Sequence, residues 1–137
     1  ALIILQEARR TGVLSSKIDK YCSVLECIYA IKKEHKKNIS NITAAYIGKD
    51  SEEQERIREN MRDAYGVRSD GSHGDNLKYL QENNRENLVK LSTDIDDYVR
   101  RVFMSSPDFG TPGMREWIRK EEYAYVTGRK STCKKVF

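Results

Sequence analysis

The chain has 137 residues, a length that fits one domain with a single modest core better than two domains packed together. Apolar residues make up 38% of the sequence and charged residues 34%, a balance that excludes wholesale disorder. The net charge of +4, from 25 Lys and Arg against 21 Asp and Glu, permits binding to a polyanion but does not require it.

The cysteine pattern and the hydropathy indicate the compartment. Cys22, Cys27 and Cys133 form no CxxC pair, and one stays unpaired under any single disulfide. Since Cys22 falls on an apolar helical face, we expect a free thiol in a reducing cytoplasm, with no metal and no other cofactor. No apolar run approaches the roughly 20 residues that span a bilayer, so we expect no membrane association. The sequence opens at Ala1 and is already apolar there, which suggests a fragment of something longer.

Two helices are predicted at the start of the chain. The apolar residues from Leu2 to Ala8 indicate a short helix that stops near Gly12. Residues 18 to 32 carry the clearest i, i+3, i+4, i+7 stripe and predict an amphipathic helix. Ser16, with an aspartate three residues later, resembles a capping box at the start of this helix.

A basic run and a third helix follow. The run KKEHKK, residues 32 to 37, is predicted to lie at the C-terminal end of the second helix, where cations interact favourably with the helix dipole. His35 within it is interpreted as a solvated residue and not as a second catalytic group. Apolar residues from 39 to 46 indicate a short third helix that ends at Gly48.

Two longer helices are predicted in the middle of the chain. A cap signal at Ser51 begins a fourth helix that continues through about residue 67. Turn formers then break the chain between residues 69 and 76. The longest helix follows from 77 to 103, and three asparagines between 83 and 87 favour a kink in its first third.

The C-terminal part is predicted to be less regular. Prolines and glycines make residues 105 to 113 a linker, followed by one short helix in which Trp117 packs onto the bundle. The basic tail from Tyr123 onward predicts a docking strand or disorder. No repeat or sheet pattern is present, so the predicted class is all-α. We expect a compact antiparallel bundle of about five helices over residues 1–104, then linker, short helix and tail over 105–137.

The segment YGVRSDGSHGD, residues 65 to 75, combines a permanent cation with a proton carrier. Arg68 is always charged, and His73 can exchange a proton near neutral pH. In an unbroken helix, five residues at about 100° each would set these side chains about 140° apart. The turn formers Asp70 and Gly71 are predicted to break the helix and bring His73 back toward Arg68.

Such a pair suits metal-free RNA cleavage. His73 can take a proton from a ribose 2′-hydroxyl, while Arg68 binds the adjacent phosphate and stabilises its developing charge. The products would be a 2′,3′-cyclic phosphate and a 5′-hydroxyl, with Ser69 and Asp70 orienting the imidazole or the phosphate. The same residues also suit an ordinary helix end, where a histidine caps carbonyls and an arginine pairs with a carboxylate.

Two motifs resemble the HEPN superfamily over about residues 2–104. YGVRSDGSHG, 65–74, is similar to the signature of its Apea-like branch, a Tyr, an Arg-Ser pair and a His-Gly that closes the turn. Upstream, SKIDKYCSVLECIYAI, 16–31, resembles the family's early helix, in which a Leu-Glu pair, here Leu25 and Glu26, precedes an aromatic residue.

The resemblance implies a helical bundle that dimerises, with the Arg and His motifs of two subunits facing each other across a cleft. Arg68 would hold phosphate and His73 would act as acid or base. Many members are metal-independent endoribonucleases in toxin, antiviral-defence or RNA-processing systems, whereas others are inactive RNA-binding or assembly modules. The implied partners are RNA, a second copy and an antitoxin-like protein, and the apolar start at Ala1 adds an upstream domain as a possible further partner. Gly71 and Ser72 replace the more apolar residues that often precede the family's His, which implies a looser turn.

Other candidate residues are weaker. The tail cations either contact RNA phosphates or, as we favour, belong to an ordinary solvated tail: Arg129, Lys130, Lys134 and Lys135. Three helical aspartates without a matching His make a poor metal site: Asp94, Asp96 and Asp97. By family habit, Tyr65 or Tyr79 would be the acceptor if a nucleotidyltransferase-like partner modified the chain.

Overall fold

The computed structural model describes residues 1–10, 12–72, 85–105 and 111–126. Over these ranges the chain forms six α-helices and no strand, which confirms the predicted all-α class. The helices are α1 (Leu2–Arg10), α2 (Leu14–Tyr29), α3 (His35–Ile47), α4 (Ser51–Ser72), α5 (Arg85–Met104) and α6 (Pro112–Val126).

The helix α2 lies at the centre of the bundle, where it contacts α1, α3, α4 and α5. Its apolar stripe is buried except at Ile28, which is partly exposed, and it meets the apolar faces of α4 and α5. The shared core includes Ile18, Tyr21 and Leu25 of α2, Ile57 and Met61 of α4, and Ile95 and Val99 of α5. This packing sets α2 directly against both α4 and α5.

The ends of α2 differ from the prediction. The helix begins at Leu14, so Ser16 lies inside it, and the capping position Val13 makes no side-chain capping hydrogen bond. At the other end Ala30 adopts a left-handed conformation, with φ of 55°, and donates its N–H to the carbonyl of Glu26. The helix therefore ends at Tyr29, before the run KKEHKK begins. The sequence does not indicate this end, because the left-handed position after a helix is usually taken by glycine and not by alanine.

The basic run therefore does not belong to the end of α2. It crosses the turn between the two helices and enters the first turn of α3, which begins at His35. The predicted C-terminal position of KKEHKK is wrong. The predicted third helix and its end at Gly48 are confirmed.

The helix α4 is longer than predicted. Asp50 caps it, since its carboxylate accepts the backbone N–H of Glu53 at 2.8 Å, one residue before the predicted cap. The helix continues through Ser72, so the predicted break at Asp70 and Gly71 is wrong for this part of the chain. The remainder of that break, and the first third of the predicted long helix with its kink, lie outside the described residues.

The last helix is also longer than predicted. It begins at Pro112, a favoured first position, and the hydroxyl of Thr111 accepts the N–H of Met114 at 3.2 Å. It continues to Val126, which corrects the predicted tail start at Tyr123. Trp117 is buried against α3, with its ring centroid 6.0 Å from that of Tyr46.

Among the residues described, no helix is long and apolar enough to cross a bilayer.

Candidate functional site

The guanidinium of Arg68 lies between two carboxylates of α2. Its Nε lies 2.7 Å from Oδ1 of Asp19, and its Nη1 donates a hydrogen bond to Oε1 of Glu26. The Arg68 side chain is 27% exposed. The cation is therefore held at the bundle surface, pointing across the seam between α4 and α2.

Glu26 is the hub of this site. Its side chain is only 16% exposed, and the same Oε1 accepts the hydroxyl of Tyr65 at 2.9 Å. Nδ1 of His35 lies 3.5 Å from that oxygen, while Nε2 of His35 lies 3.0 Å from the carbonyl oxygen of Ile31. One carboxylate thus joins α2, the start of α3 and the end of α4.

The ring of Tyr65 supports the guanidinium from its own helix. The Cζ atom of Arg68 lies 5.6 Å from the ring centroid, within the range of a cation–π contact. Burial, together with the nearby Cys22 and Glu26, raises the pKa of Tyr65 far above the ordinary tyrosine value. The hydroxyl therefore stays protonated and acts as a donor to Glu26.

The electrostatics keep Arg68 charged and Cys22 neutral. Burial lowers the pKa of Arg68, but the hydrogen bond and charge of Glu26 and the charge of Asp19 outweigh it, so the pKa is raised. Burial raises the pKa of the Cys22 thiol to about 12, although Arg68 opposes that shift. At neutral pH the thiol is a core residue and not a nucleophile.

The structure describes only part of the predicted site. Arg68 lies in α4 with its side chain described, and Ser69 and Asp70 continue the same helix, although their side chains are not among those described. His73 and Tyr79 lie outside the described residues, as does the cationic tail from residue 127.

The sequence alone does not predict that Asp19 and Glu26 both bind Arg68, since Asp19 matches the acid of a capping box. It also does not predict that His35 contacts Glu26. The usable signal was the spacing on α2, because Asp19, Cys22 and Glu26 are separated by three and four residues and share one face. Two acids flanking a buried cysteine indicate a polar edge that another helix can approach with a cation.

The aspartates of α5 serve in separate contacts. Asp96 accepts the hydroxyl of Tyr21 at 2.7 Å and Nη2 of Arg100 at 3.1 Å, and Asp97 lies 3.7 Å from Arg101. In the part of the chain that the structure describes, no group of three or more His, Cys, Asp or Glu side chains could hold a metal ion.

A groove of about 400 Å³ lies between α4 and α5, away from Arg68. Its walls carry three cations and three acids, so it has no net charge that would attract a polyanion. The candidate site is therefore the α2–α4 seam and not this groove.

Comparisons of the chain with protein-family models, curated proteins and solved structures found no significant match. The fold defines an all-α helical bundle, and the HEPN resemblance rests on the two sequence motifs.

Proposed function

We propose that the chain is a metal-independent endoribonuclease of the HEPN type. The observation that carries the proposal is the oriented guanidinium of Arg68, which is fixed at the surface by Glu26 and stacked on Tyr65. A preorganised cation stabilises charge on a reacting phosphate more effectively than a mobile one. The sequence places His73, the proton carrier, five residues further along.

In the proposed reaction the nucleophile belongs to the RNA. His73 takes the proton of a ribose 2′-hydroxyl, and the oxygen attacks the adjacent phosphorus. The bond from phosphorus to the 5′-oxygen breaks, and that oxygen takes a proton from water and leaves as a 5′-hydroxyl, while the His73 imidazolium releases its proton to solvent. Arg68 neutralises the charge that builds on the phosphate, and Ser69 and Asp70 orient the reacting groups. The other product carries a 2′,3′-cyclic phosphate.

The active form would be a homodimer whose two motifs share one cleft, acting on RNA and controlled by an antitoxin-like partner, as the HEPN resemblance implies. A cytoplasmic location is proposed from the free cysteines of the sequence.

A second candidate function is a non-catalytic HEPN module for dimerisation or RNA binding. It is favoured by the two ion pairs of Arg68, because a guanidinium that bridges Asp19 and Glu26 also fixes α4 against α2. In this alternative the motif serves the fold, and His73 carries no proton during a reaction.

RNA cleavage in EDTA separates the two candidates. End-labelled RNA is incubated with the native protein and with Arg68→Ala, His73→Ala and Arg58→Ala. Arg58 is the matched control, since it is another α4 arginine paired with a carboxylate, 3.2 Å from Glu55. The nuclease proposal expects cyclic phosphate ends from the native protein and the Arg58 variant, and loss of cleavage in the other two. RNA left intact by the native protein favours the non-catalytic module.

A further inference from the structure

We infer that an RNA phosphate binds Arg68 on the edge now held by Asp19, displacing that carboxylate while Glu26 remains bound. The inference rests on the proposed function, because it takes a phosphodiester as the ligand of Arg68. Beyond that function, the inference specifies the side of the guanidinium that binds the phosphate and the carboxylate that competes with the phosphate.

The two carboxylates that hold Arg68 differ in burial. The Glu26 side chain is 16% exposed, whereas the Asp19 side chain is 46% exposed. A carboxylate that returns to water loses little when it leaves its partner, but a buried one left without its cation loses much more. Asp19 is therefore the easier of the two to displace.

The two carboxylates also differ in their other contacts. Glu26 accepts the hydroxyl of Tyr65 and lies beside His35 as well as Arg68. For the Asp19 carboxylate, Arg68 is the partner found within the described residues. Glu26 is thus anchored independently of the cation, and Asp19 is not.

The chemistry of the exchange is balanced. A phosphodiester carries one negative charge and offers two oxygens, like the carboxylate that it replaces. The Nε edge of a guanidinium binds both groups with the same fork of N–H donors. Since Arg68 keeps its contact with Glu26 on Nη1, it needs no large movement to exchange one anion for the other.

Asp19 and Glu26 should therefore affect RNA binding in opposite directions. Asp19 competes with the phosphate, so its removal strengthens binding. Glu26 is a positioning residue that holds the guanidinium, so its removal weakens binding. If both carboxylates were only structural, the two substitutions would change affinity in the same direction, through the lost negative charge.

The test measures the affinity for a fluorescent 2′-O-methyl oligoribonucleotide by anisotropy. Its blocked 2′-oxygen prevents cleavage, so binding is read separately from catalysis. Asp19→Asn and Glu26→Gln are compared with Glu55→Gln, a control on the exposed face of α4 that removes the same charge. Relative to this control we expect about threefold tighter binding for Asp19→Asn and about threefold weaker binding for Glu26→Gln. If Glu26→Gln does not fold, Glu26→Asp replaces it and is compared with the native protein.

Equal affinities for Asp19→Asn and Glu55→Gln would overturn the inference, as would tighter binding by both site variants. Unchanged binding by Arg68→Ala would also overturn it. Binding with the expected pattern, together with intact RNA in the cleavage assay, would refute the nuclease proposal but support phosphate binding at the Asp19 side of Arg68. If neither the native protein nor any variant bound the oligonucleotide, both this inference and the RNA-binding form of the second candidate function would be overturned.

Discussion

The ion pair between Glu26 and Arg68 should contribute measurably to the stability of the bundle. We consider the double-mutant cycle of Glu26→Gln and Arg68→Gln, which isolates their interaction from the other contacts of each residue. The cycle is informative because this pair connects α2 to α4 across 42 residues of sequence.

The expected magnitude follows from burial. Exposed ion pairs couple by about 0.2–1 kcal/mol, whereas removal of one partner from a fully buried pair costs about 3–5 kcal/mol. The side chains of Glu26 and Arg68 are 16% and 27% exposed, which places them between these limits. We therefore expect a coupling free energy of about 1–2 kcal/mol.

Urea unfolding followed by circular dichroism gives the four free energies of unfolding. The chain provides its own control in Glu116 and Lys120, an ion pair at 3.4 Å whose side chains are 63% and 58% exposed. The double-mutant cycle of this exposed pair should give a coupling free energy of less than about 0.5 kcal/mol. Equal coupling in the two cycles would refute the reasoning, because the Glu26–Arg68 contact would then be no stronger than a solvated surface pair.

Four further predictions concern other parts of the bundle. Gly48→Ala should destabilise the protein by about 1–3 kcal/mol, since the new methyl group would lie 2.4 Å from a side-chain carbon and 2.5 Å from a carbonyl oxygen. Gly66→Ala, inside α4 with nothing within 4 Å, should stabilise it by about 0.5–1 kcal/mol in the same urea assay. Tyr29→Phe should cost about 1–2 kcal/mol, because it removes a buried 2.9 Å hydrogen bond, and addition of Thr43→Val should cost less than about 0.5 kcal/mol more. Burial raises the pKa of Asp96, but hydrogen bonds to a tyrosine and an arginine and the charges of two arginines outweigh it, so the pKa is lowered. The ionised Asp96 carboxylate therefore stabilises the folded protein at neutral pH, and this contribution is lost as the pH falls below about 4. Between about pH 5 and pH 3 the free energy of unfolding should fall less for Asp96→Asn than for the native protein.

The helical fold could be predicted because the apolar residues repeat at helical spacing. Ile18, Tyr21 and Leu25 lie on one stripe, and all three are fully buried. The ends of the helices were harder to predict. The left-handed Ala30 ends α2 without a glycine, and α4 continues through the turn formers Asp70 and Gly71. Local turn and cap signals are only weak preferences, so they do not fix the ends of a helix.

The site could be predicted only in part. The motif around Arg68 is contiguous in sequence, so its residue types alone indicate a permanent cation beside a group that can transfer a proton. Its partners come from α2, and the spacing of Asp19 and Glu26 shows that they share a face without showing which helix covers it. His35 is 39% exposed, in keeping with the solvated position predicted for it. Its contact with Glu26 could not be predicted, because the sequence does not show that α2 ends at Ala30 and that α3 begins at His35.

The most direct test of the central claim compares two substrates in EDTA with the native protein. One is an all-ribonucleotide RNA in which the position of cleavage is mapped first, and the other is the same RNA with a single 2′-deoxynucleotide on the 5′ side of that position. Attack by the 2′-hydroxyl predicts that cleavage at this position is lost in the second substrate, while the first yields a cyclic phosphate in a reaction that needs Arg68 and His73. Equal cleavage of the two substrates, or no cleavage of any RNA, would contradict the account.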